Sequence, residues 1–552
     1  MFEYHHDSLI STFDVNISEA GLIPIVADAS ALLELGNVGT SKAWTVLFLF
    51  SLLYVFNLLK YSFEEKVNAP VVGHRHPLEP QWLVRLRFVR GSRSILHEGY
   101  SKFKESMFQI RRIGTDVLVI SPKILEEIRS ISRDKVNSVE PFIHDFVGEY
   151  VCGKLFLESD LQNRVLHQKL TPNLGRLVPV MKEELDWALV REMPNCQGNW
   201  VELDIVPKLA RIVSHISARI FLGPADCRNE EWVETTTQYT ENLFVTGFIL
   251  RLVPKILRPL VAPLLPSFWG LKRNVSACRR IVGHIIQTRR DLEAQSGPGY
   301  QRPNDVLQWM MDAANTREAE VGNLCQRVLV LSLSSIHTTA LTMSQALYDL
   351  CAHPEFLEPI RAEVVQVLQE DGGWEKKGTL GRLRRLDSLL KESQRFNPVF
   401  LLTFNRIYHK RMKLSDGTVI PPGTRVAVPS NEILNDPEHV PGDVGPELFD
   451  AFRYFKVRQQ PENSNKYLFA MADGSNMAFG FGRFACPGRF YVSNEMKMVL
   501  AHLLLMYDLK FPEGQMRPEN LTVDGDLYPD PRARLLIRKR TTFASDMDML
   551  LK

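Results

Sequence analysis

Hydrophobic and polar positions change their period along this chain, and each change marks a different kind of element. From Ala43 to Leu59 the run is uncharged, with only Thr45, Ser51 and Asn57 as polar interruptions, close to the ~20 residues that span a bilayer. Acids without Lys or Arg precede Lys42, whereas Lys60, Lys66 and Arg75 follow the run, so the charge bias sets the N-terminus on the lumenal side and the bulk of the chain in the cytosol. The run starts too deep, without a basic leader, for a cleaved signal peptide. Beyond it, Val67-Asn68-Ala69-Pro70-Val71-Val72-Gly73 reads as a hinge that ends a helix. Thereafter helical spacing dominates. Val492, Met496, Val499, Leu500, Leu503 and Leu504 predict one long amphipathic helix. Strand signals cluster at Asp116 to Ile120 and Thr418 to Val428, the latter punctuated by Gly417 and Pro421-Pro422-Gly423 as a hairpin. The expected class is mainly α with smaller β-sheets, an α+β fold. A second apolar stretch, Phe248 to Leu265, is cut by Pro254, Pro259 and Pro263 and is too interrupted to span. Its outer side is expected to be unusually apolar.

Composition narrows the classes. The chain has 552 residues, no linker or repeat that would cut it into modules, and a formal net charge of +2, so its bulk charge does not indicate a nucleic-acid binder. Its seven cysteines are dispersed without a C-x-x-C pair, a pattern suited to a reducing compartment. Asn16-Ile17-Ser18 is a candidate N-glycosylation acceptor on the lumenal side.

The strongest chemical statement is Phe479-Gly480-Phe481-Gly482-Arg483-Phe484-Ala485-Cys486-Pro487-Gly488. Pro487 suits a first helical position, which makes Cys486 a cap whose sulfur faces unpaired amides, conditions that favour thiolate. Gly482 and Gly488 let backbone approach something large and flat, and Phe479 shields the sulfur. Haem, with Cys486 as iron ligand, fits. Two other readings stand beside it: a lone cysteine as a small buried hydrophobe, and Gly480-x-Gly482-x-x-Ala485 with Asp508 as a dinucleotide fingerprint. Bulky Arg483 and Phe484 and the late helix start weigh against the fingerprint.

Glu392 and Arg395 stand three apart on a predicted helix and share a face, and Arg453 lies between them and the cysteine run. On these motifs the chain resembles the cytochrome P450 haem-thiolate monooxygenases. The resemblance implies a cytochrome P450 fold with an N-terminal transmembrane helix, and a structural triad of Glu392, Arg395 and Arg453 behind the haem. Ser334-Ser335-Ile336-His337-Thr338-Thr339 matches the family segment over the oxygen-binding face, with Thr338 at the oxygen-handling position and His337 where a carboxylate is usual. His337 reads either as a proton donor, since histidine titrates near neutrality, or as a packed core side chain. Phe484 replaces the basic residue that usually holds a haem propionate. Arg406 matches a second propionate position, with Arg164 as a weaker candidate.

The resemblance implies haem b, oxygen activation with thiolate donation, and electrons from NADPH through a separate NADPH-cytochrome P450 reductase at the endoplasmic reticulum membrane. The organisation expected is a lumenal segment 1–42, anchor 43–59, linker 60–79, haem-thiolate domain 80–540 and tail 541–552. Ile336-His337-Thr338-Thr339, Leu170-Thr171-Pro172-Asn173 and Ala485-Cys486-Pro487-Gly488-Arg489-Phe490 resemble the filamentous-fungal branch related to ent-kaurene oxidases, which implies a lipophilic terpenoid or meroterpenoid substrate. An indole alkaloid, a polyketide, or a reductase-independent isomerase or dehydratase activity are the alternatives.

Overall fold

The computed structural model describes residues 67–76, 79–151, 153 and 155–540; Asn16, the span Ala43 to Leu59 and the tail 541–552 lie outside them. No helix among the described residues is long and apolar enough to cross a membrane.

The chain first forms α1 (Gln81–Phe103), then the antiparallel pair β1 (Met107–Arg112) and β2 (Thr115–Ile120), α2 (Pro122–Ile128), β3 (Val136–Asn137) and α3 (Glu140–Asp145). Helices then dominate: α4 (Leu161–Val165) runs through a π-turn into α5 (Thr171–Glu192), and β4 (Val201–Leu203) leads to α6 (Ile205–Leu222), α7 (Glu230–Leu252), α8 (Pro266–Ser296) and the central α9 (Val321–Ala352). Caps fix several starts. Asp204 accepts from the Val206 amide and Asn229 from the Trp232 amide, each satisfying a donor the first turn leaves unpaired. After α10 (Leu357–Asp371) and α11 (Arg384–Phe396) come β5 (Thr403–Tyr408), β6 (Met412–Lys413), β7 (Val419–Ile420) and β8 (Arg425–Val428). The chain closes with α12 (Arg489–Met506), β9 (Tyr507–Lys510), β10 (Leu521–Val523), β11 (Asp526–Tyr528) and β12 (Leu535–Lys539).

Helices α5, α6, α9 and α12 contribute most of one large core, to which Met181, Leu185, Ile212, Val213, Leu324 and Leu500 belong. A five-stranded sheet in the order β1-β2-β8-β5-β3 packs with α1 around a separate cluster that includes Phe88, Leu96, Ile110 and Leu401. The expected α+β class holds, with helix in excess. The expected hairpin over Thr418 to Val428 does not form. β7 pairs with β6, whereas β8 joins β5 and β2. Pro421 and Pro422 lack ladder donors, and the Gly423 amide is taken by the Tyr408 carbonyl at 2.6 Å, so the turn sends the chain into another sheet.

Candidate active site

α11 places Glu392 and Arg395 on one buried face, since residues three apart on a helix lie together. Arg395 Nε and Nη2 donate to Glu392 Oε2 and Oε1, both at 2.9 Å, and Arg453 Nε donates to Oε1 at 3.1 Å. The two guanidiniums exceed the one carboxylate, and carbonyls absorb the remaining donors: Arg395 reaches Pro446 O at 2.7 Å, and Arg453 reaches Gly445 O and Leu448 O at 2.9 Å. All three side chains are inaccessible to solvent. The cluster therefore pins the long loop 435–452 to α11 through its own backbone.

The cysteine loop differs in detail from the sequence expectation. α12 begins at Arg489 with Gly488 as the preceding cap, two residues later than Pro487 would place it. The Cys486 amide is already engaged, donating to Phe479 O at 2.7 Å, so the chain turns before it coils. The sulfur nevertheless faces helix-start amides. Burial pushes the thiol pKa up, while the Gly488 amide, the Arg489 guanidinium and the Arg489 amide oppose that rise. A cation at the sulfur would reverse the balance in favour of thiolate. Phe479 stands edge-on to Phe469 with centroids 5.2 Å apart. Gly482 has φ +69°, and a Cβ there would lie 2.9 Å from Arg129 O, so protein backbone already explains this glycine. At Gly488 a Cβ would meet no protein atom within 4 Å.

Arg406, on β5, is buried and takes part in no ion pair among the described residues. It donates to Ile128 O at 2.7 Å and Arg129 O at 3.4 Å, and its guanidinium carbon lies 3.5 Å from the Phe404 ring centroid and 4.9 Å from that of Phe484. Burial pulls its pKa down to about 10, a sign of a desolvated cation without a counter-charge. Arg133 approaches the same Phe484 ring at 5.6 Å, a neighbour that nothing in the local sequence announces. Arg164 is committed elsewhere, to Glu318 at 3.2 Å and Asp160 at 3.3 Å, and this removes it as a propionate candidate.

On α9, the Thr338 hydroxyl donates back to Ser334 O at 3.0 Å. Beside it on α9 stands His337. Burial lowers its pKa to about 4, opposed by a hydrogen bond to the Thr237 backbone, and Nε2 has no partner. Near neutral pH it is an uncharged imidazole with a spare nitrogen, available for hydrogen bonding but not as an imidazolium acid.

A haem fits these residues on two counts. Arg406 is a buried cation lacking an anion, which a propionate would supply, and Cys486 is a thiol that keeps accessible surface and faces the Gly488 and Arg489 amides, which stabilise negative sulfur. Comparison with known proteins agrees. The family description "Cytochrome P450" matches residues 76–537. "Ent-kaurene oxidase P450-4" of Gibberella fujikuroi is 57% identical over 489 residues, covering 88% of this chain and 95% of that protein. "Cytochrome P450 monooxygenase AN1598" of Emericella nidulans is 47% identical over 495 residues, covering 90% and 92%. A solved structure titled "Retinoic acid bound cyanobacterial CYP120A1" superposes with TM-score 0.63 at 20% identity, covering 86% of this chain and 100% of that one, a likeness of fold. The chain belongs to the cytochrome P450 family. It is a monooxygenase of that family, and the cofactor that family and fold imply is haem with a cysteine thiolate ligand.

Proposed function

We propose that Cys486 would hold the haem iron through its sulfur and that this chain oxidises a terpenoid or meroterpenoid intermediate, with ent-kaurene the first substrate to test. The reading rests on one observation above the others: the only cysteine in the matched loop presents its sulfur to the amides of Gly488 and Arg489. Relatives 57% identical that carry the name ent-kaurene oxidase support the substrate class. When bound, haem with a thiolate ligand supplies oxygen activation and O–O cleavage rather than reversible oxygen carriage. The chain's own residues do the rest. Arg406 would neutralise a propionate, Phe479 and Gly488 would bound the cysteine side, and Thr338 and His337 present a hydroxyl and a neutral imidazole on α9. Glu392, Arg395 and Arg453 hold the loop that precedes the cysteine segment.

Electrons come from NADPH through NADPH-cytochrome P450 reductase at the endoplasmic reticulum membrane, with Ala43 to Leu59 as the anchor. Exposed Leu252, at the end of α7, and Ile256, Leu260 and Leu264 after it form the apolar outer side expected from sequence and suit uptake of a lipid-dissolved substrate. The test is membrane preparation of the chain with reductase, NADPH and ent-kaurene, and mass spectrometry of products. An oxygenated product, dependent on reductase, is expected. The same assay with Cys486→Ala gives no product and no thiolate-type carbon monoxide band; retention of that band would remove Cys486 from its role.

A further inference from the structure

Helices α8 and α9 approach closely because one side of their contact is glycine. A Cβ at Gly283 would lie 3.3 Å from Val321 Cγ1 and 3.9 Å from Cys325 Sγ, so the bare position admits the neighbouring helix. Cys278 stands on α8 about one and a half turns earlier. Its Sγ lies 3.3 Å from Cys325 O, and the two thiols are hydrogen-bond neighbours. Both side chains are buried and both are free cysteines. Thiols in direct contact across two helices are the starting geometry for an S–S bond.

The pair is not sealed into packed core. Cys278 and Cys325 line a cavity of about 220 Å³ together with Glu149, Lys272, Arg279 and Leu329. Glu149, Lys272 and Arg279 are exposed, so the cavity communicates with water, and its two cations outnumber its one acid. A hydrogen bond from Cys278 foremost, and then the Arg279 guanidinium, draw the Cys325 pKa down against burial. Reactive thiols occur in such electropositive, solvent-reachable surroundings, whereas sealed ones are inert. Cys325 lies thirteen residues before Thr338 on α9, roughly 20 Å at ~1.5 Å per residue, which separates this pair from the haem site.

We propose that Cys278 and Cys325 are a dithiol modification site at which hydrogen peroxide installs a disulfide that cross-links α8 to α9. The Cys325 thiolate attacks one peroxide oxygen and the O–O bond breaks. The departing oxygen takes up the proton that the thiol released and leaves as water, while Cys325 becomes a sulfenic acid. The Cys278 sulfur then displaces the sulfenic oxygen, which carries the Cys278 proton away as a second water. Two thiols and one peroxide thus become one disulfide and two waters, the sulfurs being oxidised and the peroxide oxygens reduced. A dithiol reductant reverses the bridge by exchange.

The experiment titrates the reduced, haem-loaded full chain with hydrogen peroxide up to the amount that first changes its carbon monoxide spectrum. Free thiols are then alkylated and the unreduced peptides mapped by mass spectrometry. The expected result is a peptide pair joining Cys278 to Cys325, lighter by two hydrogen atoms than its two members and lost on addition of dithiothreitol. Cys278→Ser halts the oxidation at a Cys325 sulfenic acid that dimedone labels, and Cys325→Ser leaves Cys278 a free thiol. Haem content reports folding of each variant, and the wild-type map alone carries the test if a variant fails to load haem. Both thiols still alkylated at the end of the titration, or a bridge from either one to a third cysteine, overturns the site. Dimedone on Cys278 in the Cys325→Ser variant overturns the order of attack.

Discussion

Single buried polar side chains set the sharpest tests in this molecule, because each is satisfied by a small number of named partners. Glu392 accepts from Arg395, Arg453 and the Asp450 amide, so Glu392→Ala strands two guanidiniums in the interior. A loss of ~3–5 kcal/mol is expected, read as a lowered unfolding midpoint in denaturant together with poor haem incorporation. Arg406→Leu removes the unpaired cation beside Phe484; a lower haem-to-protein ratio after gel filtration is expected, and Arg406→Lys restores part of it. Glu495 is fully buried, bonded to the Tyr491 hydroxyl at 3.2 Å, and burial raises its pKa to about 8. Its folded pKa lies above the unfolded value of ~4.3, so its contribution is fully present below that value and is lost as pH climbs through 8. Glu495→Gln should therefore gain thermal stability over wild type as pH rises from about 5 to about 8, and a constant difference in melting temperature across that range would contradict this.

At the scale of elements, loops govern the site more than helices do. The cysteine loop holds its shape through Gly482, whose positive φ and close approach to Arg129 O admit no side chain. Gly482→Ala is expected to cost ~1–3 kcal/mol and to loosen haem binding, measured as faster haem transfer to an acceptor protein. The segment after α7 is a second case. Ile256 and Leu264 are 84% and 77% exposed, an apolar surface with no packing partner among the described residues. Replacing both with lysine should raise the KM for ent-kaurene delivered in lipid vesicles, with an unchanged carbon monoxide spectrum showing an intact core. The helix that carries Glu392 and Arg395 was legible because its period and its stop at Asn397-Pro398 are local signals. α12 starts two residues later than Pro487 suggests. Cys486 spends its amide on Phe479, a contact made across a turn and invisible in a helical pattern.

For the whole molecule, the helical excess, the helices α11 and α12 and the strand signal at β2 were legible in the chain itself, and the haem-thiolate chemistry was implied by the motifs' family resemblance. Periodicity, proline and glycine placement, and the three-residue spacing of Glu392 and Arg395 are properties of neighbouring residues, and short-range sterics and helix geometry read them directly. Tertiary structure alone decided three other matters. It split β7 from β8, because pairing depends on which distant strand offers free backbone groups. It lowered the pKa of His337, since that follows burial and not residue type. And it gathered Arg112, Asp145, Arg251, Arg425 and Asp524 from five separate segments into one ion-pair cluster, a charge environment set by residues far apart in sequence. Local geometry follows from local sequence, whereas dielectric and charge environment belong to the folded whole.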